Sequence, residues 1–308
     1  VPDGDRRVLT EHDWTARATA HRARVAAFTG SHARRAARGE AHPVWDFLFT
    51  YYSLRPRQLR VWHPGYGTAL AGPSAAEYLD RAGYVTTTAG VTVGSDYLRS
   101  RRDTVAFVAD LLRATAGRTP QFGCFGMHEW AMVYRTDAVR HGRVPLRLGP
   151  AGTDAVVESM PLRCTHFDAF RFFTAAAAPR NRGVPTRDTQ RDWEQPGCLH
   201  ANMDLYKWCY KLGPLVDSGL LVDCLAVAAE ARELDMRASP YDLTAFGFEP
   251  IAVEEPAGRA EYVRCQGVIT ERARPLRQQL LAWCERLLAS GVPYDTVSES
   301  PLPAGKMN

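Results

Sequence analysis

The sequence predicts a mainly α protein: a single globular helical domain with a minor β-ribbon. Three observations carry that expectation. Apolar residues recur at helical spacing over long stretches, among them 96–116, 199–212, 215–236 and 258–290. β-Branched residues cluster in one short segment, VTTTAGVTVG at 85–94. The 308 residues are 45 % hydrophobic and 23 % charged, the balance of a globular chain with an ample core.

Taken in order, residues 10–38 read as a helix capped by Thr10 or Asp13 and interrupted near Gly30. HPVWDFLFTYYS (42–53) reads as a short buried helix, and LRPRQLRVWHPGYG (54–67) as a turn, a brief helix and a loop. SAAEYLDRAG (74–83) is a small helix ended by Gly83, and 85–94 is the ribbon. Helices follow at 96–116 and 127–142. A short strand is expected around 163–168, and 175–197 reads as loop with little helix. The expected division is a basic N-terminal helical segment, 1–40, packing on a helical core domain of 41–295. The tail, 296–308, reads as disordered.

Composition excludes several classes. No apolar run approaches the roughly eighteen residues of a membrane span, and the N-terminal residues lack the apolar stretch of a secretory signal. Seven cysteines, an odd number with no C-x-x-C pair, point to reduced thiols in a cytoplasmic protein. The net charge of +4 permits an anionic partner without demanding one. There is no Walker loop, no G-x-G-x-x-G, no G-x-S-x-G elbow and no H-E-x-x-H helix.

What remains is histidine beside acid in apolar surroundings. His42 and Asp46, and again His200 and Asp204, stand four apart and share a helix face. His166 and Asp168 share one face of a strand if 163–168 is extended. His128 and Glu129 are adjacent and diverge on a helix. A charge in such a segment needs a partner. Three readings stay open for each pair: a structural tether, an acid–base or substrate-binding group, or a metal or haem ligand. Aromatic residues also interleave with arginine at 46–66 and 166–173, and Arg55, Arg57 and Arg60 are the phosphate-contact candidates.

Four segments carry a resemblance: HPVWDFLFTYYSLRPRQLRVWHPG, FGCFGMHEWAMVYR, HFDAFRFF and QPGCLHANMDLYKWCYKLGPL. With them the chain resembles, from about residue 10 to 290, an actinobacterial family usually labelled 3-methyladenine DNA glycosylase. The resemblance implies hydrolysis of the N-glycosidic bond of an alkylated purine in duplex DNA, without a cofactor. QPGCLHA keeps Pro196 and Gly197 of the helix-hairpin-helix pattern but lacks its second glycine. Asp217 and Asp223 fall near the spacing of that pattern's catalytic aspartate. The chemistry needs a carboxylate beside an oxocarbenium-like sugar. Asp204 is the first candidate, with Asp168 and Glu129 behind it, and His200 would orient Asp204 or water. His128, His166 and Lys207 are the polar substrate contacts, and Tyr206, Trp208 and Trp130 would flank the base. Two alternatives compete. In one, His128, His166, His200 and Asp204 ligate iron or hold a haem in an oxygenase acting on a small molecule. The other is a non-enzymatic nucleic-acid-binding protein.

Overall fold

The computed structural model describes residues 7–52, 54–137 and 144–290. It is 59 % helical with one small four-stranded sheet, so the mainly α expectation holds. Strand β1 (Arg7–Leu9) leads into helix α1 (Glu11–Ala36), which starts where the Thr10 hydroxyl accepts the Asp13 amide. Gly30 does not interrupt α1. A helix-interior glycine costs only about 1 kcal/mol relative to alanine, and the stripe of Trp14, Ala18, His21 and Val25 holds the helix against the core. Much of the basic segment faces outward, as with Arg24, which pairs with Asp223 at 2.7 Å.

Two short helices follow, α2 (Phe47–Thr50) and α3 (Pro56–Leu59), and then strand β2 (Thr68–Leu70). His42 precedes α2 rather than sharing a helix face with Asp46. Its backbone amide donates to Asp46 Oδ2, and Oδ1 of Asp46 takes His32 and Arg35. The ribbon forms as β3 (Tyr84–Thr87) and β4 (Gly90–Val93), antiparallel, extended by β2 and by β1 in the order β1-β2-β4-β3.

The remaining helices are α4 (Ser95–Ala116), α5 (Met127–Ala131), α6 (Gly149–Ser159), α7 (Phe167–Phe170), α8 (Gln190–Trp193), α9 (Leu199–Leu212), α10 (Ser218–Arg237) and α11 (Pro256–Ala289). Two expectations fail here. The helix over 127–142 stops at Ala131, and Arg135 takes a left-handed φ of 49°. Residues 138–143 lie outside the described residues, as does the tail 296–308. The strand at 163–168 is absent: the Asn181 side chain occupies both the Cys164 amide and carbonyl, and His166 caps α7. Backbone groups satisfied by a side chain have no ladder to join. Helix α6 was not expected from the Gly-Pro start of its sequence, although proline is favoured in a first turn.

Helix α9 is the axis of the molecule. It packs against α10, α11 and α4, and 12 of its 14 residues are buried. A helix buried all round must satisfy every polar side chain internally. That requirement assembles the site. Among the described residues all seven cysteines are unbridged, and no helix is long and apolar enough to cross a membrane.

Candidate metal centre

Two residues in left-handed backbone, Phe125 (φ 50°) and Gly126 (φ 71°), turn the chain into α5. Left-handed backbone disfavours a residue with a Cβ, so Phe125 is a strained position held by its surroundings. The turn drives His128 and Glu129 into the core, 3 % and 4 % exposed. Cys124, one turn back, lies with its sulfur 3.7 Å from His128 Nδ1, so His128 presents Nε2 inward. On α10, Asp235 is fully buried, with Oδ1 2.8 Å from that Nε2. The two form a buried ion pair, and neither atom has another hydrogen-bond partner among the described residues. The other Asp235 oxygen faces Arg232 at 3.3 Å, and Arg232 also reaches Glu129 at 3.0 Å. His200 on α9 completes the group. Its ring lies edge-on to His128, centroids 4.5 Å apart, and one ligand atom from each of His128, His200 and Asp235 lies within 4.8 Å of the others.

A second group adjoins the first. His200 stacks on His166 with centroids 5.2 Å apart. His166 Nε2 lies 3.1 Å from Asp204 Oδ2 and 3.5 Å from Glu194 Oε1, and Gln190 donates to Glu194. Lys207 donates to Asp204 and, at 2.9 Å, to Asp168, while Tyr52 donates to the other Asp204 oxygen at 3.2 Å. His166, Glu194 and Asp204 also meet the spacing of a three-ligand set. Lys207 already bridges Asp204 and Asp168, so this second set closes on itself as an ion-pair network.

Charge follows geometry. Burial opposes charge on His128, but Asp235 outweighs it and holds the imidazole pKa well above its ordinary value. His166 is likewise raised against burial by Asp204. His200 has no such counter-ion. Burial and the neighbouring His128 push it down to about 3, leaving a neutral ring with a lone pair at neutral pH. Burial alone would raise Asp204 and Asp235, but Lys207 with His166, and His128 with Arg232, drive both well below the carboxylate range. Glu194, where burial prevails, is raised.

Two small cavities flank His200. One, about 10 Å³, is bounded by Cys124, His128, Cys198, His200 and Tyr262, a space for a single water or ion. The other, about 40 Å³, is walled by Phe47, Tyr51 and Phe172, with Glu129, Asp168, His200 and Arg232 as its polar edge. A larger cavity, about 480 Å³, lies elsewhere, between Arg57, Arg81, His63 and the C-terminal end of α9. It touches neither histidine–carboxylate group, so its size does not mark the chemistry.

No known protein family, curated protein or solved structure matches this chain.

The residues singled out in the sequence therefore fall into three sets. His128, His166, His200, Asp204, Asp168, Glu129 and Lys207 converge. His200 and Asp204 share a face of α9, yet it is His166, not His200, that contacts Asp204. Tyr206, Trp208 and Trp130 are core residues, each under 5 % exposed, and none lines either small cavity. Trp130 spends its N–H on the Ala238 carbonyl at 2.9 Å, and Trp208 packs on Phe107. Arg55, Arg57 and Arg60 lie around α3, exposed, and none lines either small cavity beside His200. Sequence reasoning missed Asp235, Arg232 and Glu194. The readable signal for the first two was an Arg–Asp pair three apart inside LAVAAEARELDMRA, a stretch of helical periodicity.

The segment feeding α9 is held by backbone contact. A Cβ on Gly197 would stand 2.6 Å from the Gln121 carbonyl oxygen and 2.8 Å from its nitrogen. The Gly197 amide donates to Gln195 Oε1 at 2.7 Å, and its carbonyl accepts Gln266 at 2.7 Å. Gly197→Ala is expected to lower stability by about 1–3 kcal/mol through overpacking. Urea denaturation measures this directly; an unchanged midpoint would contradict the close approach.

Proposed function

We propose that this chain is a metal-dependent enzyme in which His128, His200 and Asp235 hold one ion, and that the ion is iron activating dioxygen toward a small molecule. The observation that carries the reading is the convergence of His128, His200 and Asp235, whose ligand atoms lie within 4.8 Å of one another, with His128 Nε2 and Asp235 Oδ1 only 2.8 Å apart and, among the described residues, no further group on either atom. A buried ion pair with no further partners is poorly compensated for its desolvation. A shared ion bonded to each at about 2.0–2.2 Å satisfies both, and it sets neighbouring ligand atoms roughly 3 Å apart. Two histidines and one carboxylate with open coordination positions suit non-haem iron and oxygen chemistry. Cys124 behind His128 and Arg232 behind Asp235 orient the two ligands, as the outer partners of metal ligands do. The water-sized cavities favour an ion with small ligands over haem, because a porphyrin has no room beside these histidines. A zinc ion on the same ligands would serve hydrolysis instead.

Excision of an alkylated purine, which the sequence resemblance implies, is the competing reading. Asp204 is buried and ionised as that reading requires, but Tyr52, His166 and Lys207 already occupy its oxygens. The 40 Å³ beside Asp168 and His200 is smaller than a purine, so a flipped base would need the Phe47, Tyr51 and Phe172 wall to open.

One preparation tests both readings. Protein purified without chelator is expected to carry about one transition-metal ion per chain, held by deprotonated ligands and removed by chelator. It is expected to consume oxygen only when loaded with iron. A metal-free protein that cannot be loaded, and that releases 3-methyladenine from methylated duplex DNA, would replace the metal reading with base excision.

A further inference from the structure

Arg277 on α11 is 2 % exposed, and among the described residues no carboxylate is ion-paired with its guanidinium. Its hydrogen bond goes to a neutral amide oxygen, Oδ1 of Asn202, and its buried Nε has no partner. A buried guanidinium without an anion is a large uncompensated cost. Burial pulls Arg277 down only to about 10, so it stays charged at neutral pH. The strongest acidic influence on it is Glu194, whose carboxylate is engaged by Gln190 and faces His166.

Arg277 lines a cavity of about 230 Å³ between α4, α11 and the segment before α9. Arg118 and Arg274 line it too, Thr270 and Gln278 add polar groups, and no carboxylate contributes to the lining. Arg118 donates Nη1 to the Glu194 carbonyl at 2.9 Å, and Arg274 pairs with Glu271 on its own helix at the surface. Three guanidiniums around one cavity with no acidic wall form a positive hollow, in which, among the described residues, only Arg274 has a carboxylate partner, Glu271 at the surface. Planar, fork-shaped donors of this kind match the oxygens of phosphate or carboxylate.

We propose that the cavity walled by Arg118, Arg274 and Arg277 binds a phosphate-sized oxyanion carried by a small molecule. The anion supplies the partner that Arg277 lacks and ties α11 to the chain entering α9. The site stands apart from the proposed metal centre: Pro196 lines the anion cavity, while Gln195, Cys198 and Leu199 line the cavity beside His128. The short segment 194–200 is thus shared as a wall, and either site can fail without the other.

The test uses the full chain in phosphate- and sulfate-free buffer at constant ionic strength. Inorganic phosphate is titrated by calorimetry, in parallel with a sugar monophosphate, sodium chloride and a duplex oligonucleotide. Phosphate and the monophosphate are expected to bind with one site per chain, and chloride is expected to give no saturable heat. Arg274→Glu changes an exposed residue and leaves the fold intact, and it should weaken phosphate binding by about tenfold or more through loss of a charge-assisted contact. Arg277→Met should abolish binding; should that variant not fold, Arg118→Gln takes its place with the same expectation. Absence of phosphate binding at tens of millimolar, binding equal in Arg274→Glu, or binding of the oligonucleotide alone each overturns the proposal.

Discussion

Asp235→Asn is expected to empty the proposed metal centre. The substitution keeps the shape of the side chain and removes the charge that faces His128 at 2.8 Å and Arg232 at 3.3 Å. Loss of groups that merely orient a metal ligand commonly costs 10- to 100-fold in affinity, so loss of the ligand itself should exceed about 100-fold. Metal content after dialysis against a weak chelator is then expected to fall from one ion per chain to a trace, and iron-dependent oxygen consumption with it. His128→Gln should behave in the same way, because it removes the facing ligand nitrogen. Arg232 retains Glu129 in the Asp235 variant, so the protein should remain helical by circular dichroism. Full metal content in both variants, with a native spectrum, would remove His128 and Asp235 from the centre.

Lys207→Met is expected to cause the largest loss of stability. The lysine is 7 % exposed and lies between two buried carboxylates, Asp204 and Asp168. Removing one partner of a buried ion pair typically costs about 3–5 kcal/mol, because the other charge is left uncompensated. The pH dependence follows from the direction of the shifts. Burial would raise Asp204 and Asp168, but Lys207 and His166 depress both in the folded protein. Such groups stabilise the fold above their unfolded value of about 3.9, and that stability is lost as pH falls through the folded pKa. Lys207 is raised by Asp204 and Asp168 against its burial, so its contribution is complete below about 10.4 and disappears only above that. In Lys207→Met the carboxylates lose the cation that kept them ionised. Protonation then relieves them, and the penalty shrinks toward acid. Denaturation in guanidinium at pH 7.5 and pH 4.5, both in chelator, measures the difference. An equal penalty at the two pH values would mean that packing, not charge, is the cause.

Much of this architecture was legible along the chain. The long helices α4, α10 and α11 repeat with the period that burial of one face demands, and α9 shows apolar residues at helical spacing. The ribbon at β3 and β4 follows from β-branched alternation around Ala89 and Gly90. The Thr10 cap acts through its own side chain, and such local chemistry survives any tertiary context. The short pieces were not legible. Residues 163–168 carry strand-like composition, but a single distant side chain, Asn181, takes the backbone groups that a strand would have used. Helix α5 ends after five residues, far short of the expected span, and the chain leaves it through left-handed Arg135.

For the site, the sequence alone determined which groups had to find partners: His128, His166, His200, Asp204 and Lys207 all sit in apolar stretches where an unpaired polar atom is costly. Spacing settled that His200 and Asp204 share a helix face, because 3.6 residues per turn leaves no other choice. Which partner each one took was decided only in three dimensions. His128 on α5 meets Asp235 more than a hundred residues later on α10, and Asp204 is served by His166 rather than by its own helical neighbour His200. The reason is physical: α9 is enclosed by α4, α10 and α11, so its polar side chains face whichever groups those helices and the α5 and α7 turns deliver. Periodicity constrains the face a residue shows, but only packing determines what stands opposite it.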